Sequence, residues 1–316
     1  MKNLIKSISI IVPVFNEEGN IVEIFNKIKN ICKQINIEYE IIFINDGSQD
    51  SSEEILNKIY SENSNIKLIN FIKNYGQTAA FLAGFEYAKN ELIITIDSDL
   101  QNDPNDIPKI IDKINQGYDL VSGNRVNRKD SIARVFLSNI ANKIISKIFD
   151  LKINDIGCSL KGYRSEFGKK IKIYGEMHRL LPVFAFMEGA KIAEIPVNHF
   201  ERKFGKSKYG MNRIIKILLD ILVLKFFENY LKKPIYLFGG FGVILLILSF
   251  FSIAGALYLK FVYNISLILT PLPLLSAMTF ILGVICFLLG LIAEMQMRIL
   301  FNDTKYNSSY KIKDNK

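Results

Sequence analysis

Two long apolar runs near the C-terminal end limit what this chain can fold into. Residues 235–259 and 265–293 contain no charged side chain, and each exceeds the roughly 20 residues that a helix needs to cross a bilayer core. Buried helices of a soluble protein are the alternative, but such helices rarely extend this far without a polar face. The pattern therefore predicts two transmembrane helices within residues 234–297.

The positive charge of the chain is concentrated next to these runs. The 316 residues carry a net charge of +9; residues 1–200 hold 25 basic and 25 acidic side chains, whereas residues 201–233 hold nine basic and three acidic ones. Such a surplus could bind nucleic acid, but its place beside apolar spans favours membrane lipids and no nucleic acid. Because the turn between the runs has only Lys260, the positive-inside rule predicts that both termini and the N-terminal domain are cytoplasmic.

The sequence pattern also predicts the structure of the segments that flank the spans. Residues 211–233 place apolar side chains at helical spacing against a polar face, which predicts an amphipathic juxtamembrane helix in the interface plane. Residues 298–316 are predicted to form a cytoplasmic basic tail. The three cysteines are scattered and the two histidines lie far apart, so neither a disulfide scaffold nor a zinc site is expected.

Short β-branched runs alternate with helical patterns in residues 1–210. Strands are predicted at 8–14, 39–45, 66–71, 92–97, 119–122 and 192–197, and helices at 18–34, 51–60, 78–88 and 107–115. A short strand also follows a polar turn within residues 155–164. Continuously apolar strands separated by helices are typical of an α/β fold with a mainly parallel sheet covered on both faces.

Polar side chains follow these strands at the points where the strands end. The segments are 13–17, 45–48, 73–77, 97–101 and 123–125. Proteins of this class bind ligands in the crevice outside the carboxyl ends of parallel strands. The sequence therefore predicts a ligand site built from these five segments.

One of these segments suits a metal ion. Asp97, Asp99 and Gln101 alternate along the chain, so all three can face one cation. Hard oxygen ligands favour Mg²⁺ or Mn²⁺, which bind through one or two carboxylates plus substrate phosphates. A solvated acidic turn is the alternative, but Asp46 at an earlier strand end favours the metal site.

A cationic, glycine-containing stretch occupies residues 199–210. It suits a loop that clamps phosphate oxygens. A basic linker attracted to anionic lipid is the alternative, and the two interpretations are compatible.

Taken in order, the motifs resemble those of family-2 glycosyltransferases of the GT-A fold. The segments that carry this resemblance are PVFNEE (13–18), INDGSQD (44–50), KNYGQ (73–77) and DSDLQNDP (97–104). Four later segments, followed by two spans, are similar to the polyprenyl-phosphate glycosyltransferases: DIGCSLKGYR (155–164), GEMHR (175–179), EIPVNHFER (194–202) and GKSKYG (205–210). That group includes dolichol-phosphate mannosyltransferase, bactoprenol glucosyltransferase and undecaprenyl-phosphate formamido-arabinose transferase. The resemblance covers residues 7 to about 300.

The resemblance implies roles for residues on the donor side. Those that would line the pocket of the nucleotide sugar are Pro13, Phe15, Glu17 and Asp46. Those that would bind Mg²⁺ or Mn²⁺ and the donor diphosphate are Asp97, Asp99 and Gln101. Arg202 and Lys206 would lie in a loop that closes over the donor. Asn45 stands where the family often has Asp, so the resemblance does not indicate which base is bound.

Other matching residues would serve the acceptor. Those implied to bind the acceptor phosphate are Arg125, Arg134 and Ser138, and the last two share one helical face because they are four residues apart. Asp155 matches an acidic position proposed as a base or as a group that orients the acceptor. An acceptor phosphate is already mostly ionised near neutral pH, which favours the orienting role.

The resemblance thus implies an α/β GT-A enzyme, a hexosyl- or pentosyltransferase. It would move a sugar, with inversion, from a UDP- or GDP-linked donor to undecaprenyl or dolichyl phosphate at the cytoplasmic membrane face. It also suggests a homo-oligomer. A catalytically silent membrane scaffold or lipid-carrier module is one alternative. A processive polysaccharide synthase is another, but those enzymes use a Gln-x-x-Arg-Trp motif and this chain has no tryptophan.

Overall fold

A sheet of seven strands organises the N-terminal part of the protein. The computed structural model describes residues 4–126, 132–171, 175, 177–201, 225 and 233–302, and the chain divides into two units, residues 1–221 and 222–316. The strands are β1 (Ser7–Val14), β2 (Glu38–Asn45), β3 (Ile66–Asn70), β4 (Leu92–Thr95), β5 (Leu120–Arg125), β6 (Lys161–Arg164) and β7 (Ile192–Val197). Their order is β3-β2-β1-β4-β6-β5-β7.

The direction of the strands confirms the predicted mainly parallel sheet. Four neighbouring pairs are parallel, and the two exceptions both involve β6, which runs antiparallel to β4 and to β5. Because β1 lies between β2 and β4, the chain leaves β1 on one side and later returns to its other side. The loops after β1 and β4 therefore meet at a topological switch point, where α/β sheets bind ligands.

Helices connect these strands and cover the sheet. They are α1 (Ile21–Gln34), α2 (Ser52–Glu62), α3 (Gln77–Tyr87), α4 (Ile107–Asn115), α5 (Ile132–Phe149), α6 (Ser165–Gly168) and α7 (Leu181–Met187), with 3₁₀ turns at Pro104–Asp106 and Met177–Leu180. In α1, the buried residues Ile21, Ile24 and Ile28 recur at helical spacing and pack with the central strands in one core. Nearly every residue of β1 is buried, as expected for a strand covered on both faces.

Helix α1 begins three residues later than the sequence predicts. The preceding residues form a turn in which the amide of Asn20 donates to the carbonyl oxygen of Glu17 over 2.8 Å. The side chains of Glu17 and Glu18 interact with neighbouring polar groups at this end of the sheet. These local hydrogen bonds, together with the long-range one from the Ser51 amide to Glu18, stabilise a turn that precedes the helix.

Two long helices form the second unit and confirm the predicted pair of apolar spans. They are α8 (Ile235–Tyr263) and α9 (Leu272–Asn302), joined through a 3₁₀ turn at Leu267–Leu269. Both are long and apolar enough to cross a membrane, and only 17% of the most apolar stretch of each helix is buried. An exposed apolar surface of this kind is suited to contact with lipid, whereas a core helix of a soluble protein would be mostly buried.

Small residues allow α8 and α9 to pack closely. A Cβ atom added to Gly242 would lie 2.9 Å from the carbonyl oxygen of Gly283, so the two backbones meet at this point. The hydroxyl of Ser249 donates to the carbonyl oxygen of Ser276 over 2.9 Å. Both features are typical of helices that associate within a membrane, where polar groups must find partners in the protein.

Several sequence-based predictions fall outside the described residues. These are most of the amphipathic helix at 211–233, the basic loop from residue 202 onward and the tail beyond residue 302. The boundaries 1–210, 211–233, 234–297 and 298–316 therefore stay predictions.

Candidate active site

The loops after β1 and β2 hold each other in place beside the switch point. The amide of Asn16 donates to Ser48 Oγ over 3.0 Å, and Asn16 Oδ1 accepts from the amide of Gln49 over 2.7 Å. Asn16 has φ of 53°, a left-handed conformation that asparagine tolerates better than most residues. Glu17 joins the same network, since its amide donates to Ser52 Oγ over 3.0 Å.

The residues predicted to line a nucleotide pocket lie on these loops. Pro13 is buried near the end of β1, and Phe15 is half-buried just beyond that strand. Glu17 is buried, and its Oε2 accepts from Asn20 Nδ2 over 2.6 Å. Asp46 follows β2, and its amide donates to the carbonyl oxygen of Val14 over 2.8 Å. The structure therefore brings these four residues to one end of the sheet.

Asp46 also binds the loop that leads into α3. Its Oδ1 accepts from the amide of Tyr75 over 2.7 Å, and its Oδ2 accepts from the amide of Gly76 over 2.9 Å. Burial raises the pKa of the Asp46 carboxyl, and these two hydrogen bonds oppose the rise. Gly47 is needed here, because its φ is +65° and a Cβ atom would clash with the backbone of Lys73.

Asp97 lies two residues beyond the end of β4 and is bound by the first residue of α3. Gln77 Nε2 donates to Asp97 Oδ1 over 2.7 Å. Burial raises the pKa of the Asp97 carboxyl, while a hydrogen bond from the Ser159 hydroxyl and the field of nearby cations act in the opposite direction. Those cations are Lys161, Arg125 and Arg179.

Asp99 and Gln101 continue the same turn. Asp99 Oδ1 accepts from the amide of Gln101 over 3.2 Å. The amide of Phe200 donates to the carbonyl oxygen of Gln101 over 2.9 Å, and Gln101 Nε2 donates to the carbonyl oxygen of Phe200 over 3.5 Å. The acidic turn is therefore tied to the segment that follows β7.

The oxygen atoms of this turn fit a hard divalent cation whose coordination a diphosphate would complete. In the part of the chain that the structure describes, no group of three or more Asp, Glu, His or Cys side chains is arranged to hold a metal by itself. Mg²⁺ commonly uses only one or two protein carboxylates, with substrate phosphates as further ligands. Asp97 and Asp99 supply two half-buried carboxylates on one turn at the switch point, so the residues present fit such an ion.

Arg125 and Asp155 form an ion pair across the end of β5. Arg125 Nε lies 2.7 Å from Asp155 Oδ2, and Arg125 Nη2 lies 2.9 Å from Asp155 Oδ1. Glu194 of β7 holds the same loop, since its Oε1 accepts from the amides of Asn154 and Asp155 over 2.8 Å each. Two of the four residues predicted on the acceptor side, Arg125 and Asp155, thus meet directly, and Asp155 occupies one edge of the guanidinium.

The remaining predicted residues are placed only in part. Ser138 is half-buried in α5. Arg134 lies in the same helix, but its side chain is outside the described part of the structure. Arg202 and Lys206 lie outside the described residues altogether.

The structure adds a buried cation that the sequence analysis did not identify. Lys161 pairs in register with Thr95 of β4 and Ser122 of β5. It is 3% exposed, and its ammonium donates to the carbonyl oxygen of Cys158. Burial lowers its pKa, an effect that the carboxylates of Asp155 and Asp97 oppose. Strand alternation places Lys161 on the face of Tyr163, which could have indicated its burial.

A second unpredicted contact joins α3 to the 3₁₀ turn at Met177–Leu180. Thr78 Oγ1 and His178 Nδ1 are 2.8 Å apart and hydrogen-bonded, and His178 is buried. Thr78 follows Gln77, which donates to Asp97, and His178 precedes Arg179, one of the cations near Asp97, so this contact joins two segments that border the acidic turn. The sequence offers no signal for a pair separated by 100 residues.

The mainly parallel sheet with an acidic turn at its switch point places this chain in the GT-A fold class. Solved structures show the same fold: glucosyl-3-phosphoglycerate synthase from Mycobacterium tuberculosis, crystallised with Mn²⁺, uridine diphosphate and phosphoglyceric acid, has a TM-score of 0.52 at 16% identity over 68% of this chain and 78% of that one. The family model of glycosyl transferase family 2 matches residues 9–171. The chain belongs to glycosyl transferase family 2 and is a glycosyltransferase.

Curated relatives match nearly the whole chain and confirm the predicted resemblance. Dodecaprenyl-phosphate galacturonate synthase of Rhizobium johnstonii is 34% identical over 94% of this chain and 89% of its own length. Undecaprenyl-phosphate 4-deoxy-4-formamido-L-arabinose transferase of Photorhabdus laumondii subsp. laumondii is 34% identical over 97% of this chain and 93% of its own length. The similarity therefore includes the helical unit as well as the sheet domain.

Proposed function

We propose that this glycosyltransferase moves a sugar from a UDP- or GDP-linked donor to a polyprenyl phosphate, of the undecaprenyl or dolichyl type, with inversion at the anomeric carbon. The observation that carries the proposal is the length of the match to relatives named for polyprenyl-phosphate acceptors, which extends through α8 and α9. A lipid acceptor requires an enzyme held at the membrane, and two exposed apolar helices meet that requirement.

The donor would bind at the switch point. Asp46 and the residues after β1 are held in one hydrogen-bonded network, a rigid frame for the nucleoside. Asp97, Asp99 and Gln101 would hold Mg²⁺ or Mn²⁺ against the donor diphosphate. Such an ion, when bound, neutralises the negative charge that develops on the leaving diphosphate. Arg202 and Lys206 would add cationic contacts to the same phosphates.

The acceptor phosphate would bind near Arg125, Arg134 and Ser138. A phosphate monoester has a second pKa of about 6, so its oxygen is ionised near neutral pH and needs no strong base. Both carboxylate oxygens of Asp155 contact Arg125, which supports an orienting role for Asp155 in place of proton abstraction. Arg125 would then contact the acceptor phosphate while Asp155 fixes the orientation of its guanidinium.

A single displacement accounts for inversion. The phosphate oxygen forms a bond to the anomeric carbon while the bond from that carbon to the nucleoside diphosphate breaks, so an α-linked donor gives a β-linked lipid product. The charge distribution of the chain supports a cytoplasmic catalytic domain and cytoplasmic termini. The amphipathic segment at 211–233 would bind membrane lipids, and the protein would assemble as a homo-oligomer.

The test is transfer by the full-length protein in lipid nanodiscs. Undecaprenyl and dolichyl phosphates are each incubated with a panel of UDP- and GDP-sugars and with Mg²⁺, Mn²⁺ or a chelator. We expect release of nucleoside diphosphate with one donor class, a new glycosylated lipid by mass spectrometry, and loss of both signals with the chelator. Binding of lipid without turnover of any donor would contradict the proposal and indicate a lipid-carrier module. Long glycan products would indicate a processive synthase.

A further inference from the structure

The first turn of α3 contacts three parts of the candidate site at once. Gly76 donates its amide to Asp46, Gln77 donates its side-chain amide to Asp97, and Thr78 shares a hydrogen bond with His178. Gly76 has φ of +90°, a conformation that turns the chain sharply from the loop into the helix. Three consecutive residues therefore link the nucleoside pocket, the acidic turn and the 3₁₀ turn at Met177–Leu180.

Among these contacts, the one between Gln77 and Asp97 bears directly on the metal site. The Nε2–Oδ1 distance of 2.7 Å is short for a hydrogen bond donated by nitrogen. A carboxylate offers about four acceptor positions; Gln77 occupies one of them and the Ser159 hydroxyl another. The hydrogen bond therefore restricts rotation of the carboxylate and leaves acceptor capacity for a cation.

We propose that Gln77 is a positioning residue that holds the Asp97 carboxylate in the orientation a divalent cation requires. The inference rests on the proposed metal-dependent function. Hydrogen-bond partners that orient a metal ligand are part of the site, and their loss typically reduces metal affinity about 10- to 100-fold. Gln77 is half-buried and begins α3, so it holds Asp97 from a rigid helix and not from a loop.

A general structural role makes a different prediction from a positioning role. If Gln77 only stabilised the start of α3, its loss would lower the thermal stability of the protein and weaken the binding of every substrate to a similar degree. If Gln77 orients Asp97, its loss weakens metal binding and leaves the acceptor site unchanged. The two roles can therefore be distinguished by whether a Gln77 variant loses metal affinity while its KM for the acceptor stays unchanged.

The experiment uses the full-length protein and the variants Gln77→Leu and Gln77→Met. Their side chains are similar in size to glutamine but are apolar and lack the hydrogen-bond donor. The control is Gln116→Leu, which replaces an exposed glutamine at the end of α4. Binding of Mn²⁺ is measured by electron paramagnetic resonance with and without UDP or GDP. The KM for polyprenyl phosphate and the thermal midpoint are measured on the same samples.

We expect both Gln77 variants to bind Mn²⁺ about 10- to 100-fold more weakly, with a KM for polyprenyl phosphate and a thermal midpoint close to those of the wild type. We expect Gln116→Leu to leave all three unchanged. Wild-type Mn²⁺ affinity in either Gln77 variant, or an equal loss of metal affinity and acceptor affinity, would overturn the positioning role alone. A wild-type protein that neither binds Mn²⁺ nor transfers sugar would overturn the proposed function as well.

Discussion

Asp155 holds Arg125 by both of its carboxylate oxygens, with nitrogen–oxygen distances of 2.7 and 2.9 Å. The side chains of Arg125 and Asp155 are only 13% and 5% exposed. Removal of one partner costs more in a pair this sheltered from water than in an exposed pair, because water hydrates the remaining charge poorly.

The variant Asp155→Asn tests the strength of this pair. We expect its free energy of unfolding to fall by about 3–5 kcal/mol, since a guanidinium remains beside a neutral amide. The measurement is urea-induced unfolding of the detergent-solubilised protein. The control is Glu23→Gln, which breaks the more exposed pair with Lys27 (side chains 41% and 35% exposed for Lys27 and Glu23) and should cost at most about 1 kcal/mol. Equal effects of the two substitutions would show that the Arg125–Asp155 pair is no stronger than a surface ion pair.

The acidic turn should be essential for transfer and dispensable for folding. We expect Asp99→Ala to abolish transfer and metal-dependent donor binding, because loss of a metal ligand removes several kcal/mol of transition-state stabilisation. The matched control is Asp112→Ala on the exposed face of α4. Steady-state kinetics and metal titrations check both variants. Turnover by Asp99→Ala near the wild-type rate, with an unchanged metal titration, would remove Asp99 from the site.

The acceptor and donor sites should be separable by mutation in α5. We expect Arg134→Ala to raise the KM for polyprenyl phosphate far more than the KM for the nucleotide sugar. Loss of one charge-assisted contact costs roughly 1.5–3 kcal/mol, or about ten- to a hundredfold in kcat/KM. Lys147→Ala removes an exposed cation near the end of the same helix and should change neither KM. A defect confined to the nucleotide sugar would show that Arg134 does not serve the acceptor.

Backbone packing around Gly47 should make this position intolerant of any side chain. Gly47 and Gly117 both have positive φ, but a Cβ atom at Gly47 would meet the backbone of Lys73, whereas nothing lies within 4 Å of one at Gly117. We expect Gly117→Ala to cost about 1–2 kcal/mol from backbone strain alone and Gly47→Ala roughly 2–5 kcal/mol. Urea unfolding measures both. Only Gly47→Ala should also weaken nucleotide binding, because Asp46 must move with its neighbour.

Glu40 should make stability depend on pH in the acid range. Burial tends to raise its pKa, but hydrogen bonds from Ser9, the Lys89 amide and Lys67 outweigh burial and hold the pKa below its usual value. A depressed pKa in the folded state means that this stabilisation is present above the unfolded-state pKa of about 4.3 and is lost as the pH falls through the folded-state pKa.

The variant Glu40→Gln should therefore lower the thermal midpoint at pH 7, and its difference from the wild type should shrink as the pH falls below about 4. Thermal unfolding followed by circular dichroism across this range measures the difference. Glu38→Gln, an exposed site on the same strand, should have little effect at any pH. A difference in thermal midpoint between Glu40→Gln and the wild type that stays constant down to pH 3 would contradict the lowered pKa of Glu40.

The sequence by itself determined the α/β architecture and the apolar helices of this protein, and it predicted the location of the candidate site. Parallel strands that are covered on both faces appear as continuous apolar runs, and the thickness of a bilayer sets the length of a spanning helix. Six strands, a further short strand within residues 155–164, four helices and both apolar helices were therefore predictable, with boundaries close to those observed. Because strand ends in such sheets bind ligands, Asp46, Asp97 and Asp99 could be singled out before any contact was known.

Only the tertiary structure decided how those residues are held. The antiparallel insertion of β6 between β4 and β5 leaves no mark in apolar periodicity, because a short buried strand looks the same in either direction. That insertion buries Lys161 beside the site. Gln77 meets Asp97 across 20 residues, and Arg125 meets Asp155 across 30. Contacts at such separations depend on the path of the whole chain through the sheet, whereas local spacing reports only which face of one element a residue occupies.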